Sequence, residues 1–307
     1  MLDPPETPRN TDQFDNERPN VWGRWGAGDE AGALNLIGAR EVQRAAALVR
    51  TGQVLSLAQT LSPRTPVPRH RAGLQHFMGR DGGDYAAGAG RPGGFQFAED
   101  TVIMPLHIGT HVDALCHAWC DGRLFNNYRE TTLRSTTGAT RLGVDKMPPA
   151  VTRGLLLDLV ALRGRSLHDG EVVSRDDLQQ CLLAARLQIE AGDVVLLHTG
   201  WLAEQKGKKD VDFNTEPGID HEAGLWLAQQ DVAMVGADNF AVEVLPFAQG
   251  SVFPVHQCLI RDYGVPLLEG LELRALAQTR RHEFLFVAAP LPIVGATGSP
   301  LTPLAIL

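Results

Sequence analysis

Between His107 and His117 the stretch HIGTHVDALCH holds three histidines and one aspartate within eleven positions. The 10 histidines, spread evenly over 307 residues, would place about 0.4 in such a window, so their concentration calls for a chemical reason. Imidazole nitrogen and carboxylate oxygen are the donors that zinc and its neighbours use, and three protein ligands leave a coordination position for water, as hydrolysis requires. HxxxH spacing can put His107 and His111 on one helical face, but Gly109 and the β-branched Thr110 and Val112 disfavour a helix there. A tight turn at Gly109 followed by extended chain is expected instead. The turn brings His107 toward His111, and the two-residue step returns Asp113 to the same side. His107, His111 and Asp113 are thus the candidate ligands of one ion, and His117, four residues on, is placed to carry a proton. The competing reading is a polar surface turn in which Asp113 caps a helix beginning at Ala114. Zinc-peptidase patterns need a glutamate between the two histidines, and none stands there. A Cys116–His117 nucleophile pair fails because neighbours in a strand point to opposite faces.

Elements of two periods must position these groups. A helix is expected from Ala39 to Val49, with Gly52 as a left-handed stop, and a strand over VLSLAQTL follows. Ser62 to Phe95 is rich in Pro, Gly, Arg and His and reads as a binding or lid loop. The second half alternates short apolar strands with amphipathic helices: GLLLDL, a helix opened by Ser174 with Asp177 three residues on, DVVLLHTG, a helix capped by Asp220, and VAMVGAD. A helix with Pro254 in its first turn and a stop at Gly264 comes next, and EFLFVAAPL forms a last strand. No composition break interrupts residues 30 to 307, so one α/β domain over 22–307 is expected, preceded by a polar, proline-rich arm over 1–21 ordered by lying on something else, such as a second subunit.

Composition narrows the function classes. The formal charge of −8 is spread along the chain without a basic block, which argues against a nucleic-acid face and for a small-molecule substrate. No apolar run is long enough to span a bilayer, and the N-terminus lacks the cationic start and apolar core of a signal peptide. The four cysteines show no paired ligand spacing, consistent with reduced thiols and a cytoplasmic location.

The pattern His107-x-Gly109-Thr110-His111-x-Asp113-x-x-x-His117 resembles the HxGTHxDxPxH signature of the metal-dependent cyclase family, which includes bacterial kynurenine formamidases and isatin hydrolases. WGRWGAGDEAGALNLI, DGRLFNN, LLHTGW, GADNFAVEVLP and GATGSP look like blocks of its longer members, so the likeness runs from about Trp22 onward. The resemblance implies a mixed-sheet, barrel-like swivelling β/β/α fold and homo-dimers or homo-tetramers. It implies metal binding at His107, His111 and Asp113, proton transfer at His117, and a later His and Glu, here His256 and Glu269, that complete the site or hold a second ion. The signature proline is Leu115 in this chain, which leaves the pocket wall after Asp113 bulkier and less rigid.

Other residues are weaker candidates. His198 lies at a strand end where α/β folds place ligand contacts, and Asp238 and Thr110 are candidates for supporting the ligands, with turn capping the plainer role for Asp238. Trp22, Trp25, His76 and Phe77 stand in irregular segments that can cover an aromatic substrate or an oligomer interface. The reading that follows is a hydrolase using one or two Zn²⁺ or Mn²⁺ ions on an amide or cyclic amide to give a carboxylate. Lactone or ester hydrolysis, dehydrating cyclisation, and a metal-dependent small-molecule binding protein are the alternatives.

Overall fold

The computed structural model describes residues 18–208 and 210–307. Nine strands form one sheet: β1 Val54–Ser56, β2 His111–Asp113, β3 Ala150–Asp158, β4 Val194–His198, β5 Met234–Ala237, β6 Leu267–Glu269, β7 Glu283–Ala288, β8 Gly298–Pro300 and β9 Leu304–Ile306. Their order is β1-β9-β7-β3-β4-β5-β6-β2-β8. The four central strands β3 to β6 run parallel, and every pairing outside them is antiparallel, giving the mixed, curled half-barrel that the sequence suggests.

The central strands read as continuous apolar runs because they are covered on both faces, as parallel strands must be. Leu155, Leu156 and Leu157 of β3 and Val194 to Leu197 of β4 are all buried, in consecutive rather than alternating positions. Helices follow these strands where capping residues start them. Ser174 accepts from the Asp177 amide to open Arg175–Ala185, and Asp220 accepts from the Ala223 amide to open His221–Gln229. Just before β4, Arg153 of β3 forks onto the buried Asp193 at 3.1 and 2.6 Å, and Arg44 of helix Ala39–Ala46 reaches the same carboxylate at 2.8 Å. That network ties the helix to the sheet with charges that are paired where they are buried.

Several expectations are corrected. The first helix ends at Ala46 instead of Val49, and the strand after it keeps only Val54–Ser56 of VLSLAQTL. The helix through Pro254 is one α turn, Pro254–His256, continued as a π-helix over Gln257–Asp262 before Gly264 at φ +65°. The segment expected as a loop to Phe95 contains a helical turn, Gly82–Ala86, and one strand of a ribbon, Gln75–Arg80 paired with Glu99–Ile103. Of the expected arm, residues 1–17 lie outside the described residues. Residues 18–21 lie on this chain's own π-helix, where the Val21 amide donates to Asp262 O at 3.1 Å and Arg18 pairs with Asp262 at 3.0 Å. No helix among the described residues is long and apolar enough to cross a membrane.

Leu196 sits mid-strand in β4 with no exposed surface. Leu196→Ala is expected to lower unfolding stability by about 2–5 kcal/mol, read as a fall in the urea midpoint at unchanged m-value.

Candidate active site

The site forms where short β2 is inserted between β6 and β8. His111 pairs with Glu269 and with Pro300, and Asp113 pairs with Gly298, so the two-residue period of the strand sends His111 and Asp113 to one face. No helix follows for Asp113 to cap, because residues 114–117 form a turn in which the His117 amide donates to Ala114 O at 2.8 Å. The turn before β2 is made at Gly109, φ +56°, where a Cβ would stand 2.5 Å from Leu61 Cδ2. Thr110 fixes that turn: its hydroxyl accepts from the Gln59 amide at 2.8 Å and donates to Gly270 O at 2.7 Å, directly after Glu269.

Four of the expected ligands, together with His117, gather around the fifth, the buried carboxylate of Asp113. Asp113 Oδ1 lies 2.7 Å from His107 Nδ1, 3.7 Å from His111 Nε2 and 4.0 Å from His117 Nε2. Asp113 Oδ2 is 3.7 Å from His256 Nε2, and Glu269 stands 3.1 Å from His111 Nε2 and 3.4 Å from His256 Nε2. Two donor triads result, His107–Asp113–His117 and His111–Asp113–Glu269, each with its atoms within 4.8 Å of one another. The single set His107, His111 and Asp113 is therefore divided between two groups that share Asp113. His117, expected outside any ligand set, is geometrically able to donate as well.

Three of the four imidazoles are held from behind. His111 Nδ1 faces Gly109 O at 3.0 Å, His107 Nε2 faces Thr297 Oγ1 at 3.0 Å, and His256 Nδ1 faces Glu243 Oε1 at 2.5 Å. Glu243 also accepts from the Val255 and His256 amides, both at 3.1 Å. These contacts occupy one ring nitrogen of each and aim the other at Asp113, the arrangement that sets tautomer and orientation in metal-bound histidines.

At the centre, Asp113 Oδ1 and Oδ2, His107 Nδ1 and His111 Nε2 are buried without a hydrogen-bond partner. The 2.7 Å approach of His107 Nδ1 to Asp113 Oδ1 lacks hydrogen-bond geometry, and both atoms are left without a partner. Orphaned buried donors of this kind fit a cation.

Electrostatics agree. Burial opposes the charge on Asp113, yet His117, His107 and His111 hold its carboxyl well below the ordinary value. Burial also opposes charge on His256 and His111, which are nevertheless raised, His256 by Glu243 and Glu269, and His111 by Glu269 and Asp113. Burial and the Asp113 charge push against ionised Glu269, which His111 and His256 keep lowered. Burial drives His117 down to about 4 against the pull of Asp113, with His107 and His256 adding to the fall. Its ring lies 4.1 Å from that of His107 and is 27% exposed, so a neutral imidazole stands at the open side of the cluster.

The remaining candidates lie elsewhere. Both oxygens of Asp238 are taken by Thr199 and the Gly200 amide at 2.6–2.8 Å, so it holds the end of β4 and orients no site histidine. His198 is turned to Asp158 at 2.8 Å, across the β3–β4 pairing, away from Asp113. Trp22 donates to Arg261 O at 2.8 Å under the Arg261 guanidinium, and Trp25 packs on the core with Arg24 over its ring. Their apolar bodies belong to the seam between the N-terminal segment and the π-helix. His76 and Phe77 are on the exposed ribbon, His76 paired with Asp100 at 2.6 Å.

Four neighbours of the cluster escaped sequence reasoning: Glu243, Thr297, Phe240 and Arg71. Glu243 carried a signal, an acid inside the apolar run AVEVLP. Phe240 follows β5 and lies 6.4 Å from the His111 ring. With Phe213 at 4.7 Å it walls a cleft that also includes Trp201, Gln59 and Gly270.

A family described as putative cyclase matches residues 55–244. The chain is similar to a solved structure described as a novel cyclase, with 37% identity and TM-score 0.87 over 94% of this chain and 100% of that one. Isatin hydrolase A from Ralstonia solanacearum superposes with TM-score 0.61 at 25% identity, over 82% of this chain and 91% of that one. Cyclase-like protein 3 of Oryza sativa subsp. japonica is 26% identical over 64% of this chain, and the match spans 62% of the rice protein. The chain belongs to the putative cyclase family.

Thr110→Val removes the two hydrogen bonds that join the Gly109 turn to Gln59 and Gly270. It leaves the part-buried Gln59 amide without its partner, while Gly270 O keeps the Gln59 side-chain amide at 2.8 Å, and is expected to cost about 1–3 kcal/mol in urea unfolding, before any ligand is added.

Proposed function

We propose that this protein hydrolyses a small amide or cyclic amide to a carboxylate, using one or two divalent ions, Zn²⁺ or Mn²⁺, held by His107, His111, Asp113, His256 and Glu269. The observation that carries this reading is the set of four buried atoms on Asp113, His107 and His111 that converge without hydrogen bonds. A divalent cation bound among such donors supplies polarisation of a carbonyl and acidification of water.

The chain's own groups supply the rest. Asp113 faces both triads, and its lowered proton affinity keeps its oxygens available. Gly109 O, Thr297 and Glu243 lock the imidazoles so that no reorientation is needed during turnover. Neutral at pH 7, His117 Nε2 takes the proton from the attacking water and passes it to the departing nitrogen. The Phe213–Phe240 cleft receives the apolar part of the substrate beside the reacting carbonyl. Likeness to isatin hydrolase A, whose named substrate is a cyclic amide, supports this class. Assembly as a cytoplasmic homo-dimer or homo-tetramer belongs to the same proposal.

The test is a pH-indicator screen of formamides, cyclic imides, isatins and lactones. Acid release from the amides is expected, lost on chelation and restored by zinc or manganese. Full activity after chelation, or turnover of lactones alone, contradicts the reading. His117→Ala is expected to lower kcat about 10²–10⁴-fold, and an unchanged kcat removes His117 from proton transfer. Glu243→Gln frees His256 from its carboxylate and is expected to weaken zinc binding about 10–100-fold by competition with a chromogenic chelator.

A further inference from the structure

The Pro- and Arg-rich segment after Ser62 contributes one side chain to the rim of the donor cluster. Arg71 Nη1 donates to His107 O at 2.7 Å, and the Arg71 guanidinium lies over the Phe240 ring, 5.2 Å from its centroid. Phe240 in turn neighbours His111. A turn in which the Arg71 amide donates to Pro68 O at 2.8 Å aims the residue there.

This guanidinium has unspent capacity. One nitrogen is bonded to a carbonyl, and no carboxylate among the described residues forms an ion pair with it. An arginine that only fastened a loop would need no such position. Stacked on an aromatic face and partly buried, it keeps a planar fork of donors beside the reaction centre, the geometry that matches a carboxylate. The local charge makes this useful. Asp113 and Glu269 give the cluster two negative charges that one divalent ion would balance, so an anionic substrate arriving there gains no net attraction unless another cation faces it.

We propose that Arg71 selects substrates that carry a carboxylate in addition to the scissile amide, with the acid on the guanidinium and the apolar part against Phe240. The inference rests on the reading of the donor cluster as the reaction centre.

Calorimetric binding of benzoylglycine and of benzoylglycinamide to the full-length, zinc-loaded protein tests it. These probes share an aromatic amide and differ in one charge. The acid is expected to bind at least about tenfold more tightly than the amide. Arg71→Ala and Arg71→Gln are each expected to bring the ratio of the two affinities near one, and the second keeps a hydrogen-bond donor for His107 O should the first misfold. A purely structural role for Arg71 would weaken both probes together and leave the ratio intact. Equal affinities in the unaltered protein, binding of neither probe, or a preference that survives both substitutions, as direct capture of the acid by zinc would give, overturns the proposal. Preference for the acid without hydrolysis of any amide in the panel would contradict the hydrolase reading and leave anion selection standing. Hydrolysis with no preference would do the reverse.

Discussion

A carboxylate with no solvent exposure and no hydrogen-bond donor on either oxygen governs this structure. Burying an ionised group costs several kcal/mol unless opposite charge compensates it. Around Asp113 that compensation comes first from His117, then from His107 and His111, with His256 of the helical turn 3.7 Å away. The proton affinities of His111 and His256 rise as such a cluster demands, and a cation in their midst meets the same demand with the protons removed.

The fold explains how so costly a group is held. Its central parallel strands are closed on both faces and need no help from the site. The donor cluster is built at the periphery of that core, where three-residue β2 is gripped by β6 on one side and β8 on the other. Gly298 leaves room for His107: a Cβ there would stand 2.6 Å from His107 Cε1. Glu216, fully buried and with its proton affinity raised well above normal by that burial, accepts from the Phe240 and Ala241 amides and so shapes the wall of the cleft.

Much of this was legible in the residues themselves. Gly109 and the β-branched residues beside it argued for a turn and a strand instead of a helix, and the backbone takes that form. Ser174 and Asp220 announced their helices through capping. The division of the candidate donors into two groups around Asp113 was not legible, because it depends on where β6 brings Glu269, a pairing with no local signal. The tryptophans misled for a related reason: an aromatic residue in an irregular segment looks the same whether it lines a pocket or seals a seam. Arg71 went unmarked because its role comes from the company of Phe240, distant in sequence.

Whether the Asp113 cluster binds a divalent cation is decided most directly by elemental analysis of the protein equilibrated with zinc and manganese, alongside Asp113→Asn. The account predicts at least one ion per chain in the unaltered protein and its loss from the folded variant. A metal-free protein, or equal metal content in the two, would contradict it.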